Sequence, residues 1–263
     1  MLEIKNLTKV YDDGTVALKN ISFNVDDGEF LIVIGLSGSG KSTLLRCINR
    51  LIDPTEGQIM WNGVDVASAE PDELRTIRRQ IGMIFQHFNL VKRSSVLNNV
   101  LSGRLGYMQP WASLFYRFSK EDIERAKRAL ERMGIADQVH KRADELSGGQ
   151  QQRVGIARAL MQEPKMILAD EPVASLDPVL AVSILSHLRR LNQEDNISIL
   201  CSLHYLDLVK IYATRVIGLR DGEIVYKGTR EQIQSMTDAE FKEIYGADAV
   251  RISAGLGKGE AIA

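Results

Sequence analysis

The stretch from Gly35 to Ser42 reads Gly-Leu-Ser-Gly-Ser-Gly-Lys-Ser and matches the pattern Gly-x-x-x-x-Gly-Lys-Ser/Thr. It follows the apolar run Phe30–Ile34 and opens a helical pattern, which is the strand–loop–helix context that such a loop requires. Its glycines let backbone N–H groups turn inward around phosphate oxygens, and a helix N-terminus adds partial positive charge. Lys41 can reach the β- and γ-phosphates of a nucleotide, and the Ser42 hydroxyl can bind Mg²⁺. The alternative, a glycine-rich turn with a chance lysine, is disfavoured by this context.

Two adjacent carboxylates, Asp170 and Glu171, follow the apolar run Met166–Ala169. The acidic residue that holds the metal of a phosphoryl-transfer site belongs at the end of a buried strand. Because neighbouring side chains at a strand end point in different directions, the two can take different roles. We expect Asp170 to hold Mg²⁺ through water and Glu171 to polarise the attacking water as a general base. Taken alone, the pair could equally be two exposed loop acids, but the phosphate loop favours the catalytic interpretation.

A third motif, Leu146-Ser147-Gly148-Gly149-Gln150, opens a helical pattern that runs through Val154 and Leu160. Ser147 and the two glycines would present N–H donors at a positive helix end, which makes a second phosphate-binding surface. One chain with two such surfaces implies that each nucleotide is shared between two chains. Ser-Gly-Gly in isolation would more simply be a helix cap with flexible glycines.

The elements that must position these motifs predict an α/β fold. Continuous apolar runs at Phe30–Ile34, Ile81–Phe85 and Met166–Ala169 indicate strands buried on both faces. The predicted architecture is a P-loop NTPase core with an N-terminal antiparallel β subdomain and a helical insertion. We expect one domain over 1–246, with the core at about 1–87 and 161–228, the helical subdomain at about 88–160 and a tail at 247–263.

Helical periodicity supports this division. It predicts helices over Lys41–Leu51, Lys120–Met133, Gln151–Gln162 and Val179–Asn192. Ser119 with Asp122 resembles a capping box, and Gly134 is a natural helix stop. Short terminal helices are expected within 229–246.

The composition excludes several classes of protein. The chain has 263 residues, 44% hydrophobic and 25% charged, with a formal net charge of −1. This balance is typical of a soluble globular protein and argues against disorder and against binding dominated by nucleic-acid phosphates. No run approaches the ~20 apolar residues that span a bilayer. Cys47 and Cys201 have no metal-type spacing and are expected to be free buried thiols.

The phosphate loop, the Leu-Ser-Gly-Gly-Gln motif and the strand-end Asp-Glu, in this order, resemble the ATP-binding subunit of an ABC transporter over about residues 2–228. The resemblance implies the ABC ATPase fold, the cofactors ATP and Mg²⁺, and a homodimer that sandwiches ATP. It also suggests that Tyr11 stacks on adenine, that Gln86 senses Mg²⁺ and the attacking water, that Asp177 crosses the dimer interface and that His204 contacts the γ-phosphate. Each of these has a plainer alternative. Tyr11 could be an aromatic residue of a hairpin, Gln86 and Asp177 could be ordinary polar residues of loops, and His204 could be a structural histidine.

The site residues implied by the resemblance fall into four sets. The residues expected to bind ATP within one chain are Tyr11, Gly35, Ser37, Gly38, Ser39, Gly40, Lys41, Ser42 and Thr43. The residues expected to reach ATP from the second chain are Ser147, Gly148, Gly149, Gln150 and Asp177. The expected metal-binding residues are Ser42, Gln86 and Asp170. The expected catalytic residues are Lys41, Gln86, Glu171 and His204.

A finer resemblance points to the phosphonate-importer branch of this family. It is carried by four segments, Phe88–Arg93, Val96–Leu101, Ser102–Gly106 and Ala169–Pro178. It implies import of phosphonates or related oxyanions such as phosphite, with integral membrane permease subunits and an extracytoplasmic or periplasmic substrate-binding protein as partners and no nucleic acid. The expected location is peripheral, at the cytoplasmic face of the inner membrane. Import of another polar solute such as polar amino acids stays open, as does, less favoured, a soluble non-transport ABC ATPase.

An aromatic cluster is the remaining feature, and it consists of Tyr107, Trp111, Phe115, Tyr116 and Phe118. It either belongs to the core of the helical subdomain or forms a cleft that docks a short helix of a membrane subunit. The sequence favours neither interpretation.

Overall fold

A computed structural model describes residues 1–108 and 117–246. Its strands are β1 (Leu2–Val10), β2 (Val16–Val25), β3 (Phe30–Ile34), β4 (Glu56–Trp61), β5 (Val64–Asp65), β6 (Ile81–Ile84), β7 (Met166–Ala169), β8 (Ser198–Ser202), β9 (Arg215–Arg220) and β10 (Glu223–Thr229). Its α-helices are α1 (Lys41–Ile48), α2 (Pro71–Gln80), α3 (Val96–Leu101), α4 (Lys120–Arg132), α5 (Gly148–Leu160), α6 (Pro178–Asp195), α7 (Leu206–Tyr212), α8 (Arg230–Gln234) and α9 (Asp238–Tyr245). Short 3₁₀ helices lie at Ser102–Tyr107, Ala136–Gln138 and Ala143–Glu145.

The larger sheet has the strand order β10-β9-β3-β8-β7-β6. Strands β9, β3, β8, β7 and β6 run parallel, and β10 returns antiparallel to β9. Every residue of β3, β6, β7 and β8 is buried, which is why these segments are mostly apolar without alternation. Ligands of such sheets bind outside the carboxyl ends of the strands. The segments that follow β3, β6, β7 and β8 carry the phosphate loop, Gln86, Asp170 with Glu171, and His204.

The smaller sheet is antiparallel, with the order β2-β1-β4-β5, and forms the predicted N-terminal β subdomain. Alternate residues of β3 join the two halves of the molecule. Leu31 and Val33 pack in one apolar cluster with the antiparallel sheet and α1. Phe30 and Ile32 pack on the opposite face, in a cluster shared with helices α3 to α6. The central sheet is therefore covered on both faces, and the predicted α/β fold is confirmed.

Helices α3, α4 and α5 pack on one another within the predicted helical insertion. The predicted cap of α4 is present, because the Ser119 Oγ accepts the N–H of Asp122 at 3.0 Å. Gly134, with φ +67°, follows the end of this helix. The face of α4 that carries Ala126 and Leu130 is buried in the larger core. The helix predicted over Lys120–Met133 is therefore confirmed.

One predicted helix end needs correction, and two helices of the core were missed. Helix α1 ends at Ile48 and not at Leu51, because Arg50 adopts a left-handed conformation with φ +48°. Helix α2 was not predicted, since its sequence is mostly polar and charged and only Leu74 and Ile77 of its residues are buried. Helix α7 was also missed, and its seven residues are too few for a clear pattern.

The aromatic cluster is only partly described. The members outside the described residues are Trp111, Phe115 and Tyr116. The ring centroid of Tyr107 lies 4.9 Å from the guanidinium carbon of Arg79 and 3.9 Å from that of Arg104. Phe118 packs against the larger core. These two members are held by their own chain, whereas the docking prediction for Trp111 and Phe115 stays a prediction.

The thiol prediction is confirmed, because Cys47 and Cys201 are both free and buried. Burial raises the pKa of the Cys47 thiol to about 12 and also raises the pKa of Cys201.

Within 1–108 and 117–246, no helix has both the length and the apolar character that a membrane span requires.

Candidate nucleotide-binding site

The phosphate loop turns from β3 into α1 through glycines that no other residue could replace without strain. Gly38 and Gly40 have φ values of +81° and +102°, in the left-handed region. A Cβ on Gly40 would lie 2.5 Å from the Ala17 carbonyl oxygen. Gly40 is also the N-cap of α1, so no side chain caps the amides of the first turn. The loop therefore directs uncapped helix N–H groups toward its concave side, as an anion-binding loop requires.

Lys41 is 3% exposed and lies over this loop. Its ammonium donates to the carbonyl oxygens of Gly35 and Leu36, each at 2.9 Å, and lies 3.6 Å from Glu171 Oε1. Burial lowers the pKa of Lys41, and the Glu171 carboxylate opposes that shift. The lysine is thus a positioned cation at the point where phosphate charge would gather.

Asp170 forms the acidic end of a buried network behind the loop. Its side chain is 1% exposed, and its Oδ1 accepts from the Ser42 hydroxyl at 2.7 Å and from the Ser202 hydroxyl at 3.3 Å. Its other oxygen, Oδ2, is buried without a hydrogen-bond partner and lies 3.6 Å from the Arg46 guanidinium.

This network fits the predicted metal. Mg²⁺ beside a nucleotide keeps several waters and is bound through one or two carboxylates together with substrate phosphates. A hydroxyl and a carboxylate oxygen without a hydrogen bond, at the foot of a phosphate loop, suit that role. Among the residues of 1–108 and 117–246, no group of three or more His, Cys, Asp or Glu side chains is placed to form an all-protein metal cage.

Glu171 is held in a conformation that residues with side chains rarely adopt, with φ +46°. Its backbone N–H donates to Ser202 Oγ at 2.8 Å. Its Oε1 lies 2.5 Å from His204 Nε2. The hydrogen bond with His204 is the main cause that lowers the pKa of Glu171, and the charge of Lys41 adds to it. Glu171 is therefore ionised at neutral pH and is paired with both neighbours.

A cavity of about 360 Å³ joins these groups, which is within the size range of small-ligand pockets. Its lining consists of Tyr11, Thr15, Val16, Ala17, Ser37, Gly38, Gly40, Lys41, Ser42, Thr43, Gln86 and Glu171. The Tyr11 hydroxyl lies 3.2 Å from Thr43 Oγ1, and its ring is partly exposed, with the Lys9 ammonium 5.3 Å from the ring centroid. The structure thus brings most of the residues predicted to bind ATP within one chain to a single cavity.

The residues predicted to act from a second chain lie elsewhere. Among the described residues that line this cavity, none belongs to 147–150 and none is Asp177. Ser147 instead caps α5, because its Oγ accepts the N–H of Gln150 and the Gln150 side chain accepts the N–H of Ser147. Asp177 caps α6 by accepting the N–H groups of Val179 and Leu180.

Sequence reasoning gave a helix cap at Ser147 as an alternative but missed two features of the site. It did not use Gln150, although the Ser-x-x-Gln spacing is a capping-box pattern. Ser202, fully buried at the end of β8, links Asp170 to the backbone of Glu171. A serine at a strand end carries no signal in the sequence that could have identified this role.

Comparison with known proteins agrees with this geometry. A family model described as ABC transporter matches residues 18–174. The chain is 57% identical over 245 residues to the phosphonates import ATP-binding protein PhnC of Staphylococcus aureus strain USA300, covering 93% of this chain and 94% of that protein. The counterpart from strain MRSA252 is 56% identical over the same length.

Solved structures give the same picture. A dimeric, post-hydrolysis structure of the ATP-binding cassette MJ0796 with ADP and Pi is 37% identical, with a TM-score of 0.77, covering 88% of this chain and 99% of that one. The ADP conformation of MJ1267, an ATP-binding cassette of an ABC transporter, is 33% identical, with a TM-score of 0.81, covering 92% and 97%. This chain belongs to the ABC transporter family and is one of its ATP-binding and ATP-hydrolysing subunits.

Proposed function

We propose that this subunit drives the import of phosphonates or related phosphorus oxyanions such as phosphite. The observation that carries the proposal is the 57% identity, over 93% of the chain, with a protein named for phosphonate import. The proposed partners are integral membrane permease subunits and an extracytoplasmic or periplasmic substrate-binding protein, with no nucleic acid. The proposed location is peripheral, at the cytoplasmic face of the inner membrane.

We also infer that residues 1–246 act as one ATPase domain. The helices of 88–160 share an apolar cluster with one face of the central sheet, so the two parts are packed together. The proposed boundaries are a core at about 1–87 and 161–228, a helical subdomain at about 88–160 and a tail at 247–263.

The residues around the cavity support in-line attack of water on the γ-phosphate. Lys41, held over the loop, would stabilise negative charge that develops on the phosphate oxygens. Ser42 and Asp170 would hold Mg²⁺, which supplies further charge neutralisation when bound. Gln86 lines the same cavity as Glu171, so both can reach a water beside the phosphate.

Glu171 and His204 would take different roles, Glu171 toward the attacking water and His204 toward the γ-phosphate. Because the pKa of Glu171 is lowered, its carboxylate is ready to accept a hydrogen bond from the attacking water. Its Oε1 is paired with His204 Nε2, so His204 must release this oxygen to face the γ-phosphate. This exchange would link the arrival of ATP to the freeing of the carboxylate.

Two copies of the chain are needed to complete the proposed site. Residues 147–150 and Asp177 lie away from their own cavity, yet α5 begins with glycine amides at a positive helix end. We infer that a second copy brings these residues to the phosphates bound by the first. The dimeric form of the similar cassette MJ0796 supports this arrangement.

The dimer can be tested with Glu171→Gln. Removing the carboxylate charge relieves its repulsion with the γ-phosphate and slows hydrolysis, so an ATP-bound dimer should accumulate. Size-exclusion chromatography with Mg-ATP should give a dimer for Glu171→Gln and a monomer for Glu171→Gln/Ser147→Asp. Arg190→Gln, which removes an exposed arginine that pairs with Glu194, is the control and should behave as the wild type. A fully active Glu171→Gln protein would refute the role of Glu171.

The cargo requires the whole transporter. Permease subunits and this ATPase are reconstituted in liposomes with the binding protein, and ATP hydrolysis is measured with candidate solutes. Phosphonate or phosphite should stimulate hydrolysis only when the binding protein is present. Stimulation by polar amino acids, or by orthophosphate and no reduced-phosphorus compound, would overturn the cargo proposal and leave the ATPase assignment intact.

A further inference from the structure

The segment that follows Gln86 has an unusual backbone. Phe88 and Asn89 both adopt positive φ values, +21° and +49°. Two consecutive non-glycine residues in this region are uncommon, and such conformations persist only where the surroundings hold them. The groups that contact this pair therefore control where the loop, and Gln86 before it, is placed.

The main polar contact comes from Arg158, near the end of α5. Its guanidinium donates from Nη2 to the Phe88 carbonyl oxygen at 2.9 Å and from Nη1 to the Asn89 carbonyl oxygen at 2.6 Å. Burial lowers the pKa of Arg158, although an arginine stays charged under all ordinary conditions. A partly buried cation thus donates hydrogen bonds to two successive carbonyl oxygens of the loop.

The Phe88 side chain extends the contact along the same helix. The Phe88 carbonyl lies 4.0 Å from where a Cβ of Gly155 would stand, and its ring lies 3.7 Å from where a Cβ of Gly148 would stand. The loop is therefore attached near both ends of α5, including the end where Ser147 is the cap.

Gln152 lies on this face of α5 but does not contribute a polar contact. Its side chain is fully buried, and neither its Oε1 nor its Nε2 has a hydrogen-bond partner. Its Oε1 and the Phe88 carbonyl oxygen each lie 4.0 Å from where a Cβ of Gly155 would stand. Arg158 is consequently the side chain of α5 that holds the loop backbone by hydrogen bonds.

We propose that Arg158 is a positioning residue for Gln86. By binding the carbonyls of Phe88 and Asn89, it holds the loop so that Gln86 faces the cavity, and it ties that orientation to α5. The inference rests on the proposed role of Gln86 in hydrolysis. Removing these two hydrogen bonds should slow the chemical step without weakening ATP binding, because Arg158 is not among the residues that line the cavity.

The test compares Arg158→Met, Arg158→Lys, Gln86→Ala and the double variant Gln86→Ala/Arg158→Met in steady-state ATP hydrolysis. Arg158→Met should lower kcat about tenfold, the effect of a lost charge-assisted hydrogen-bonded pair, with KM for ATP changed less than about twofold. The kcat of Arg158→Lys should lie between those of the wild type and Arg158→Met, because an ammonium cannot bridge two carbonyl oxygens as a planar guanidinium does. Arg190→Gln, on the exposed face of α6, is the matched arginine control and should keep the wild-type kcat.

The double variant distinguishes positioning from simple stabilisation. If Arg158 acts through Gln86, Gln86→Ala/Arg158→Met should be no slower than Gln86→Ala. If the double variant is slower by the full factor of Arg158→Met, or if Arg158→Met keeps the wild-type kcat, the inference is wrong. If Gln86→Ala itself is fully active, the proposed role of Gln86 fails and the inference fails with it. Should Arg158→Met not fold, the same cycle with Arg158→Lys decides between these outcomes.

Discussion

Two helices of this chain begin at glycine-containing motifs, and their first turns are in opposite situations. Helix α1 begins after Gly40, whose left-handed backbone leaves the first amides without a side-chain cap. Helix α5 begins after Ser147, where Ser147 and Gln150 cap each other in both directions. The first helix start is open to an anionic ligand, whereas at the second the N–H groups of Ser147 and Gln150 are already capped within the chain.

The surroundings reinforce this difference. At the start of α1, Lys41 lies 3.6 Å from Glu171, and Asp170 lies 3.6 Å from the Arg46 guanidinium, so these charges are already paired within the chain. At the start of α5, Gly148 lies near Phe88 and Leu176, and a Cβ on Gly149 would lie 3.0 Å from Leu180 Cδ1. One helix start is thus preorganised by its own fold, whereas the other is stabilised by its own cap, and we propose that it meets a ligand only in a second copy of the chain.

The largest effect is expected at the open helix start. Lys41→Ala should lower kcat for ATP hydrolysis at least ~100-fold, because removal of one preorganised donor at developing charge has effects of this size. Binding of ATP, measured by equilibrium dialysis, should also be lost. Lys19→Ala is the control, since the Lys19 ammonium is exposed and pairs with Glu223 at 3.4 Å. A Lys41→Ala protein that kept a tenth of the wild-type kcat would place the catalytic charge elsewhere.

The second effect separates capping from phosphate binding at α5. Ser147→Asp should keep the thermal stability, because aspartate is as good an N-cap as serine, but hydrolysis should fall about tenfold or more since the carboxylate repels phosphate. Ser147→Ala should instead lose about 1 kcal/mol of unfolding free energy with the cap. Thermal denaturation and steady-state kinetics on both variants make the distinction. Wild-type kinetics for Ser147→Asp would mean that this helix start never meets the nucleotide.

A third effect concerns the support of the preorganised site. Ser202→Ala should lower the unfolding free energy by about 1–2 kcal/mol and kcat about tenfold, because Asp170 and the Glu171 backbone both lose a partner. The control is Ser198→Ala at the opposite end of β8, where the Ser198 hydroxyl accepts from the Gly28 N–H at 2.9 Å. It should cost similar stability and leave kcat unchanged. Equal kcat for the two variants would contradict the role of Ser202.

The smallest effect is on pH dependence. The pKa of Glu171 is lower in the folded protein than in the unfolded chain, so its stabilising contribution is complete above the ordinary carboxyl pKa of about 4.3 and is lost as pH falls through the folded value. The difference in unfolding free energy between wild type and Glu171→Gln should therefore shrink as pH is lowered from 6 toward 3. Denaturant titrations at several pH values measure it. A difference that grows on acidification would contradict the lowered pKa.

Much of the site could be predicted from the sequence, because the strands that position it have a recognisable pattern. Strands buried on both faces must be apolar throughout, so Phe30–Ile34 and Met166–Ala169 stand out. The loop after the first and the carboxylates after the second then fall at the carboxyl ends of two parallel strands of one sheet, β3 and β7, which are separated by β8. The predicted residues that line the cavity, from Tyr11 to Glu171, meet there because the order of the strands brings the segments that carry them to one edge of the sheet.

What the sequence determined by itself is therefore the kind of chemistry and the elements that carry it, since these depend on residue types at short spacing. Only the tertiary structure decided which groups touch. The bond between Ser42 and Asp170 joins residues 128 positions apart, and Ser202 reaches Asp170 across 32 positions. The same holds for the contact between Arg158 and Phe88, and for the left-handed backbone of Glu171. Such contacts depend on the order of the strands and on the packing of α5 against the sheet, which no local pattern encodes.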